Sequence, residues 1–185
     1  MALHASRIAY ELREVDLKNK PASMLAASPK GSVPVLILED GKVIDESFDI
    51  MQWALRLHDP ENWLGEQNAY LLAAAPLILE NDTGFKQALD GYKYAADDTE
   101  RARFRAQGEA FLRVLEERLS RARHLLADEL SIADAALFPF MRQFAAVDAD
   151  WFSKSPYPAL RAWLAEIVNS ARFAAVMQKH PIFGS

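Results

Sequence analysis

The chain has 185 residues, of which 51% are hydrophobic and 25% charged, a composition typical of a globular protein. Its formal net charge is −5 and its basic residues form no stripe, so no nucleic-acid partner is expected. It contains no cysteine, which excludes disulfides, thiolate metal sites and a cysteine nucleophile among these residues.

The opening residues predict neither a signal peptide nor a membrane anchor. Residues 1–7 lack a long apolar stretch, because polar side chains follow at once. The most apolar run, residues 70–79, is too short to cross a bilayer and contains Pro76. With the absence of cysteine, this predicts a cytoplasmic protein that has no membrane partner.

The first sixty residues predict short strands and helices in alternation. Residues 8–15 alternate apolar and polar side chains, which favours a strand with one covered face. Residues 21–27 predict a short helix that begins at a proline. Residues 33–38 and 42–45 predict the two strands of a hairpin, because an Asp-Gly pair joins them.

A helix is predicted from Ser47 to about residue 58, where a proline follows. Phe48, Met51 and Leu55 recur along one of its faces and should point inward. Ser47 stands where the strand ends and the helix begins, which is typical of a helix N-cap.

Beyond residue 60 the pattern predicts helices only. Ser131 and Asp134 have the spacing of a capping box at the start of one of them, which is a structural role. The predicted helices cover residues 70–92 with a break or start at Pro76, 99–124 with Phe104, Phe111, Leu112, Leu115 and Leu119 inward, 131–144, 157–169 and 170–178. The sequence therefore predicts a mixed domain at residues 1–58, a linker at 59–65 and an all-helical domain at 66–185.

Three features of the first domain are candidates for ligand binding. A cis bond before Pro34 would leave the N–H and C=O of Val33 free to pair with an extended peptide. Glu46 and Ser47, at a helix start, could accept an ammonium group and bind a carboxylate. Lys20 precedes a short helix and could bind a second carboxylate. The same features also fit a trans proline, an ordinary cap and a solvated lysine.

The order and spacing of these features resemble the glutathione transferase superfamily, most closely its omega-like branch. The matching segments are Leu-Lys-Asn-Lys-Pro at residues 17–21, Gly-Ser-Val-Pro-Val-Leu at 31–36 and Glu-Ser at 46–47. The resemblance implies an α+β fold, with a truncated thioredoxin-like N-terminal domain followed by an all-α helical-bundle C-terminal domain. It also implies a homodimer.

The resemblance further implies glutathione as co-substrate. Lys20 would bind the glycine carboxylate, Val33 would pair with the cysteinyl unit beside a cis Pro34, and Glu46 and Ser47 would bind the γ-glutamyl end. The family's opening strand and its catalytic Cys, Ser or Tyr would lie upstream of Met1, so no catalytic residue is assigned. We expect either residues 8–15 or another chain to supply the strand that pairs with residues 33–38, since unpaired backbone groups are costly.

The implied reaction is conjugation of glutathione to an apolar electrophile, or thiol transfer, impaired in this chain. The alternative is a non-catalytic protein-interaction module that keeps the same fold. A mainly aromatic group on the first long helix of the second domain could form the wall of an electrophile site or could pack in the core; its members are Asn81, Phe85, Tyr92, Lys93 and Tyr94. The four histidines show no metal-ligand spacing.

Overall fold

A computed structural model describes residues 1–183 of the chain. Its contacts group into two compact units, one of residues 1–61 together with residues 174–183, and one of residues 62–173. The linker placed at residues 59–65 by the sequence remains a prediction. The α+β class is confirmed, because strands occur in the first unit and the regular elements of the second unit, over its described residues, are all helices.

The first unit contains a two-stranded sheet between short helices. Strands β1 (Leu36–Ile37) and β2 (Val43–Ile44) pair antiparallel, with Leu36 opposite Ile44. The predicted Asp-Gly turn joins them, and Gly41 adopts a φ of +84° that favours glycine. The helices of this unit are α1 (Ala2–Ala5), α2 (Ala22–Ala27) and α3 (Ser47–Leu57). The predicted short helix and hairpin are thus confirmed, although each strand is shorter than expected.

The strand predicted at residues 8–15 is wrong. This segment lies outside the sheet, whose strand order is β1–β2. It makes one isolated parallel bridge, between Glu14 and Ile182. Its apolar side chains Tyr10 and Leu12 are exposed instead of covering a face. Alternation alone does not make a strand, because pairing needs a neighbouring strand and this segment does not pair with β1.

Helix α3 begins where the sequence placed it, but its cap and its buried face differ in detail. Glu46 holds the N-cap position and Ser47 is the first helical residue, so the assignment of Ser47 as N-cap is wrong by one position. The buried side chains are those of Ile50, Ala54 and Leu55, whereas Phe48 and Met51 are half-buried. The inward face is therefore rotated toward Ile50.

The second unit is built from helices of very different length. A 3₁₀ turn (Glu66–Asn68) leads into α4, and a π-helical turn (Asn81–Phe85) joins α4 to α5. The helices are α4 (Ala69–Glu80), α5 (Lys86–Tyr94), α6 (Asp98–Leu119), α7 (Ile132–Val147), α8 (Ala149–Lys154) and α9 (Pro158–Val168). A last helix, α10 (Ala171–Val176), begins in this unit and ends among residues assigned to the first. Residues 1–183 include no helix long and apolar enough to cross a membrane.

Several helix boundaries differ from the sequence prediction: α7 continues to Val147, three residues past the predicted end, and α8 was not predicted. Helix α4 runs through Pro76 without a break, and the irregular turn comes five residues later at Asn81–Phe85. Helix α6 ends at Leu119, five residues before the predicted end. Its inward face is confirmed by the burial of Phe111, Leu112, Leu115 and Leu119, with Phe104 half-buried.

The capping box at the start of α7 is confirmed and is part of a larger network. Asp134 Oδ2 accepts from the backbone N–H of Ser131 at 2.9 Å and from its hydroxyl at 2.6 Å. Its Oδ1 accepts from the N–H of Leu125 at 2.9 Å and from Trp163 Nε1 at 2.8 Å. The carboxylate is fully buried, so these four bonds replace its lost hydration. Asp134 therefore has a structural role, as the sequence indicated.

Candidate functional site

The loop at residues 28–34 brings together the candidate binding residues of the first unit. Gly31 lies at its centre with a φ of +62°, and its N–H donates to the Ser28 carbonyl at 3.0 Å. A Cβ added at Gly31 would lie only 3.4 Å from Lys20 Nζ and 3.2 Å from Leu25 Cδ2. The Lys20 ammonium group thus lies directly over this glycine, whose positive φ disfavours any residue with a side chain.

The Lys20 side chain has no polar partner within residues 1–183. Among residues 1–183 it forms no ion pair and no side-chain hydrogen bond, and it is exposed. An unpaired ammonium held against a backbone loop can bind a carboxylate that approaches along that loop.

The Val33–Pro34 bond that follows the glycine is cis, as the sequence-based interpretation required. Val33 is exposed, and within the described part of the chain its N–H and C=O bond to no other backbone group. Both groups are therefore free to pair with an extended peptide, in the manner of an added strand.

The start of α3 offers further donors. No side chain caps this end of the helix, and the first intrahelical bond runs from the Ile50 N–H to the Glu46 carbonyl at 3.0 Å. The N–H groups of the first turn, beginning at Ser47, are consequently available to an anion, and the helix dipole favours one there. The Ser47 side chain is exposed beside them.

Lys30 is a member of this group that the sequence analysis missed. Its Nζ lies 2.5 Å from Glu46 Oε1 and 3.1 Å from Asp45 Oδ1. These two bonds, that to Glu46 first, hold the pKa of Lys30 above its usual value. Asp45 is bound from the other side by the Ser28 hydroxyl at 2.8 Å, and that bond and Lys30 lower its pKa. A lysine followed by glycine, with two adjacent acids directly after β2, was the only sequence signal.

Lys30 and Gly31 therefore connect the candidate residues. Lys30 contacts Glu46, and Gly31 lies under the Lys20 ammonium group. The result is a row of complementary groups: an ammonium for a carboxylate, a free backbone edge, a carboxylate for an ammonium, and a helix start for a second carboxylate. A short extended peptide with charged ends has the matching pattern. The role of each residue toward a ligand remains a prediction.

The aromatic group of the second unit does not form an exposed wall. Phe85 and Tyr92 are buried and pack on Phe144 with ring centroids 5.3 and 4.9 Å apart, whereas Tyr94 is exposed. Packing in the helical core therefore accounts for Phe85 and Tyr92. In the described residues, no group of three or more His, Cys, Asp or Glu side chains could hold a metal ion.

Comparison with known proteins shows which family this chain is similar to. The family model of the glutathione S-transferase N-terminal domain matches residues 1–62, and that of the C-terminal domain matches residues 98–166. Glutathione S-transferase omega-1 of Mus musculus is 25% identical over 186 aligned residues, which cover 100% of this chain and 72% of the relative.

Two solved structures resemble the whole chain. A ternary complex of BphK, a bacterial glutathione S-transferase, superimposes with a TM-score of 0.79 at 26% identity, covering 95% of this chain and 90% of that one. A sphingomonad glutathione S-transferase complexed with glutathione gives a TM-score of 0.75 at 25% identity, covering 95% and 89%.

Proposed function

Because the chain belongs to the glutathione S-transferase superfamily, with a thioredoxin-like unit followed by a helical domain, we propose that it binds glutathione for conjugation to small apolar electrophiles. One observation carries this proposal. Lys30 contacts Glu46, and the next residue, Gly31, lies under the Lys20 ammonium group. The groups suited to the two ends of the tripeptide therefore border one loop.

Each charged group of glutathione has a matching partner in this arrangement. Lys20 binds the glycine carboxylate, and the free backbone of Val33 pairs with the cysteinyl unit. Glu46 accepts from the α-ammonium of the γ-glutamyl end, and the α3 start at Ser47 binds its α-carboxylate. These bonds involve ionised groups, which makes them about twice as strong as neutral ones.

The chemistry would form one carbon–sulfur bond. The glutathione thiol loses its proton, its sulfur attacks the electrophilic carbon, and a leaving group departs or the electron pair is protonated. Thiol transfer through the protein would need a mixed disulfide on a cysteine of the protein. None of these 185 residues is a cysteine, so these residues alone do not supply that step.

The proposal includes a cytoplasmic homodimer. Helix α4 presents Leu72 and Leu79 seven residues apart on one face, and both side chains are exposed. Ala75 and Pro76, also exposed, continue this apolar row between them. An exposed row of this kind is typical of a protein–protein contact, and a second copy of the chain is the partner that the family favours.

Calorimetric titration with glutathione tests the proposed site. We expect Lys20→Met and Glu46→Gln each to weaken binding by about tenfold or more, since each removes a charge-assisted hydrogen bond. Lys18→Met and Glu39→Gln are matched controls, because both residues are exposed and belong to the same unit. The controls should retain the affinity of the unchanged protein.

Binding is the primary readout, because no residue of the chain is assigned as catalytic. Equal losses in the controls and in the site variants would contradict the site, and no binding at millimolar glutathione would contradict the proposed function. Glutathione binding without conjugation of an activated aryl chloride would favour the non-catalytic interaction module.

A further inference from the structure

We propose that Lys30 is an internal competitor for the ammonium group of the ligand, and that it sets how strongly the site selects peptides that carry that group. The inference rests on the proposed function, since it concerns the same Glu46 carboxylate. It assigns a specificity-determining role to a residue outside the set that the family resemblance identified.

The competition follows from the identity of the two groups. Lys30 presents a primary ammonium to Glu46 Oε1 at 2.5 Å, and the γ-glutamyl end of glutathione presents another. Two ammonium groups on one carboxylate repel each other at short range. A ligand must therefore either displace Lys30 or bind Glu46 at a reduced gain in free energy.

Asp45 supplies a second position for the displaced lysine. Its Oδ1 is already 3.1 Å from Lys30 Nζ, and the Ser28 hydroxyl holds the other oxygen of this carboxylate. Lys30 can consequently withdraw from Glu46 without losing its ion pair altogether. The exchange is local, because it moves one flexible side chain over a short distance.

The expected change in glutathione affinity is small because the Lys30–Glu46 ion pair is exposed to solvent. The side chains of Lys30 and Glu46 are 52% and 64% exposed, so their pair is screened by water. We therefore expect Lys30 to weaken glutathione binding by about two- to fivefold and not to abolish it. Removing the lysine leaves Glu46 uncompensated, which favours ligands with an ammonium and disfavours ligands that carry only carboxylates.

The test compares two ligands on four proteins. The ligands are glutathione and an analogue in which a glutaryl group replaces the γ-glutamyl group, so that only the ammonium is missing. The proteins are the unchanged chain, Lys30→Met, Glu46→Gln and the double variant, all measured by calorimetry at low salt. Lys42→Met is the control, because it removes the same charge from an exposed position in the neighbouring hairpin.

We expect Lys30→Met to bind glutathione about two- to fivefold more tightly and the analogue no more tightly, so that the ratio of the two affinities rises. In the Glu46→Gln background the substitution should have no such effect. Raising the salt concentration should reduce the difference between Lys30→Met and the unchanged chain.

Three results would overturn the inference. The first is an unchanged ratio of the two affinities in Lys30→Met, and the second is weaker glutathione binding, which would mean that Lys30 holds a ligand carboxylate. The third is the same gain in the Glu46→Gln background. If neither the unchanged chain nor Lys30→Met binds glutathione, the proposed function itself fails, so the two failures are distinguishable.

Discussion

Tyr157 shows how burial and one neighbouring carboxylate change the chemistry of a single side chain. Its hydroxyl donates to Glu109 Oε2 at 2.7 Å, and the residue is almost fully buried. Burial and the hydrogen bond to Glu109 raise the pKa of Tyr157 from 10.0 to about 12. Because the folded state keeps this proton longer than the unfolded state does, its stabilising contribution is complete below pH 10 and is lost as the pH rises toward 12.

We expect Tyr157→Phe to reduce this alkaline loss of stability. The unchanged protein should lose about 1 kcal/mol at pH 11 through Tyr157 alone, and the variant should not. Urea unfolding at pH 9, 10 and 11, followed by circular dichroism, measures the difference. Tyr94→Phe is the control at an exposed ring. Parallel pH dependences for the unchanged protein and Tyr157→Phe would contradict the assignment.

At the scale of residues, the sequence predicted the side chains that carry a local signature and missed those that need a partner. Pro34 and Lys20 lie within short motifs, so they could be identified in advance. Lys30 could not, because its significance lies in contacts with Asp45 and Glu46, fifteen and sixteen residues away. Such contacts depend on how the loop before β1 lies against the residues that follow β2, which the local pattern does not fix.

At the scale of elements, the start of α9 depends on a side chain from another helix. The N-cap residue Tyr157 supplies no side-chain bond to this helix. Instead, Glu116 of α6 accepts from the N–H of Ala159 at 3.1 Å and from that of Leu160 at 2.8 Å. The carboxylate satisfies two donors that have no partner within the helix, and it lies at the favourable end of the dipole.

Glu116→Gln should destabilise the protein by about 1 to 2 kcal/mol, because an amide has one acceptor oxygen and no charge. The free energy of urea unfolding at neutral pH is the measurement. Glu117→Gln is a matched control on the adjacent residue, whose ion pair with Arg121 is exposed to solvent. That control should change the stability by no more than about 0.5 kcal/mol. Equal effects of the two substitutions would argue against capping by Glu116.

Helices were predicted better than strands because a sequence shows local bonds and not partners distant in the chain. The contact of Glu116 with α9 was missed for the same reason. A helix satisfies most of its backbone bonds internally, so α3, α7 and α9 could be located from their own residues. A strand needs a neighbour, and residues 8–15 have a strand pattern but only one bridge. The passage of α4 through Pro76 was likewise unpredictable, because propensity treats proline as a helix breaker and surrounding packing can override it.

At the scale of the whole molecule, residues that are far apart in the sequence belong to the same compact unit. Residues 174–183 belong to the unit that also holds the N-terminus. Within that unit the Phe183 N–H donates to the Glu14 carbonyl at 2.8 Å, and the Arg13 guanidinium lies 4.6 Å from the Phe183 ring centroid. A division of the sequence into consecutive domains could not include this return, since it involves contacts across almost the entire chain.

The exposed apolar face of α4 favours self-association of the whole molecule. Leu72 and Leu79 are 71% and 64% exposed, and a stable interface needs about 800 Å² of surface from each partner, with apolar side chains at its centre. We expect the chain to sediment as a dimer at micromolar concentration and Leu72→Glu/Leu79→Glu to sediment as a monomer, since burying two carboxylates in the interface is costly. Leu57→Glu adds a charge at an exposed leucine of α3 and should leave the dimer intact. A monomer before any substitution, or a dimer that survives both glutamates, would contradict association through α4.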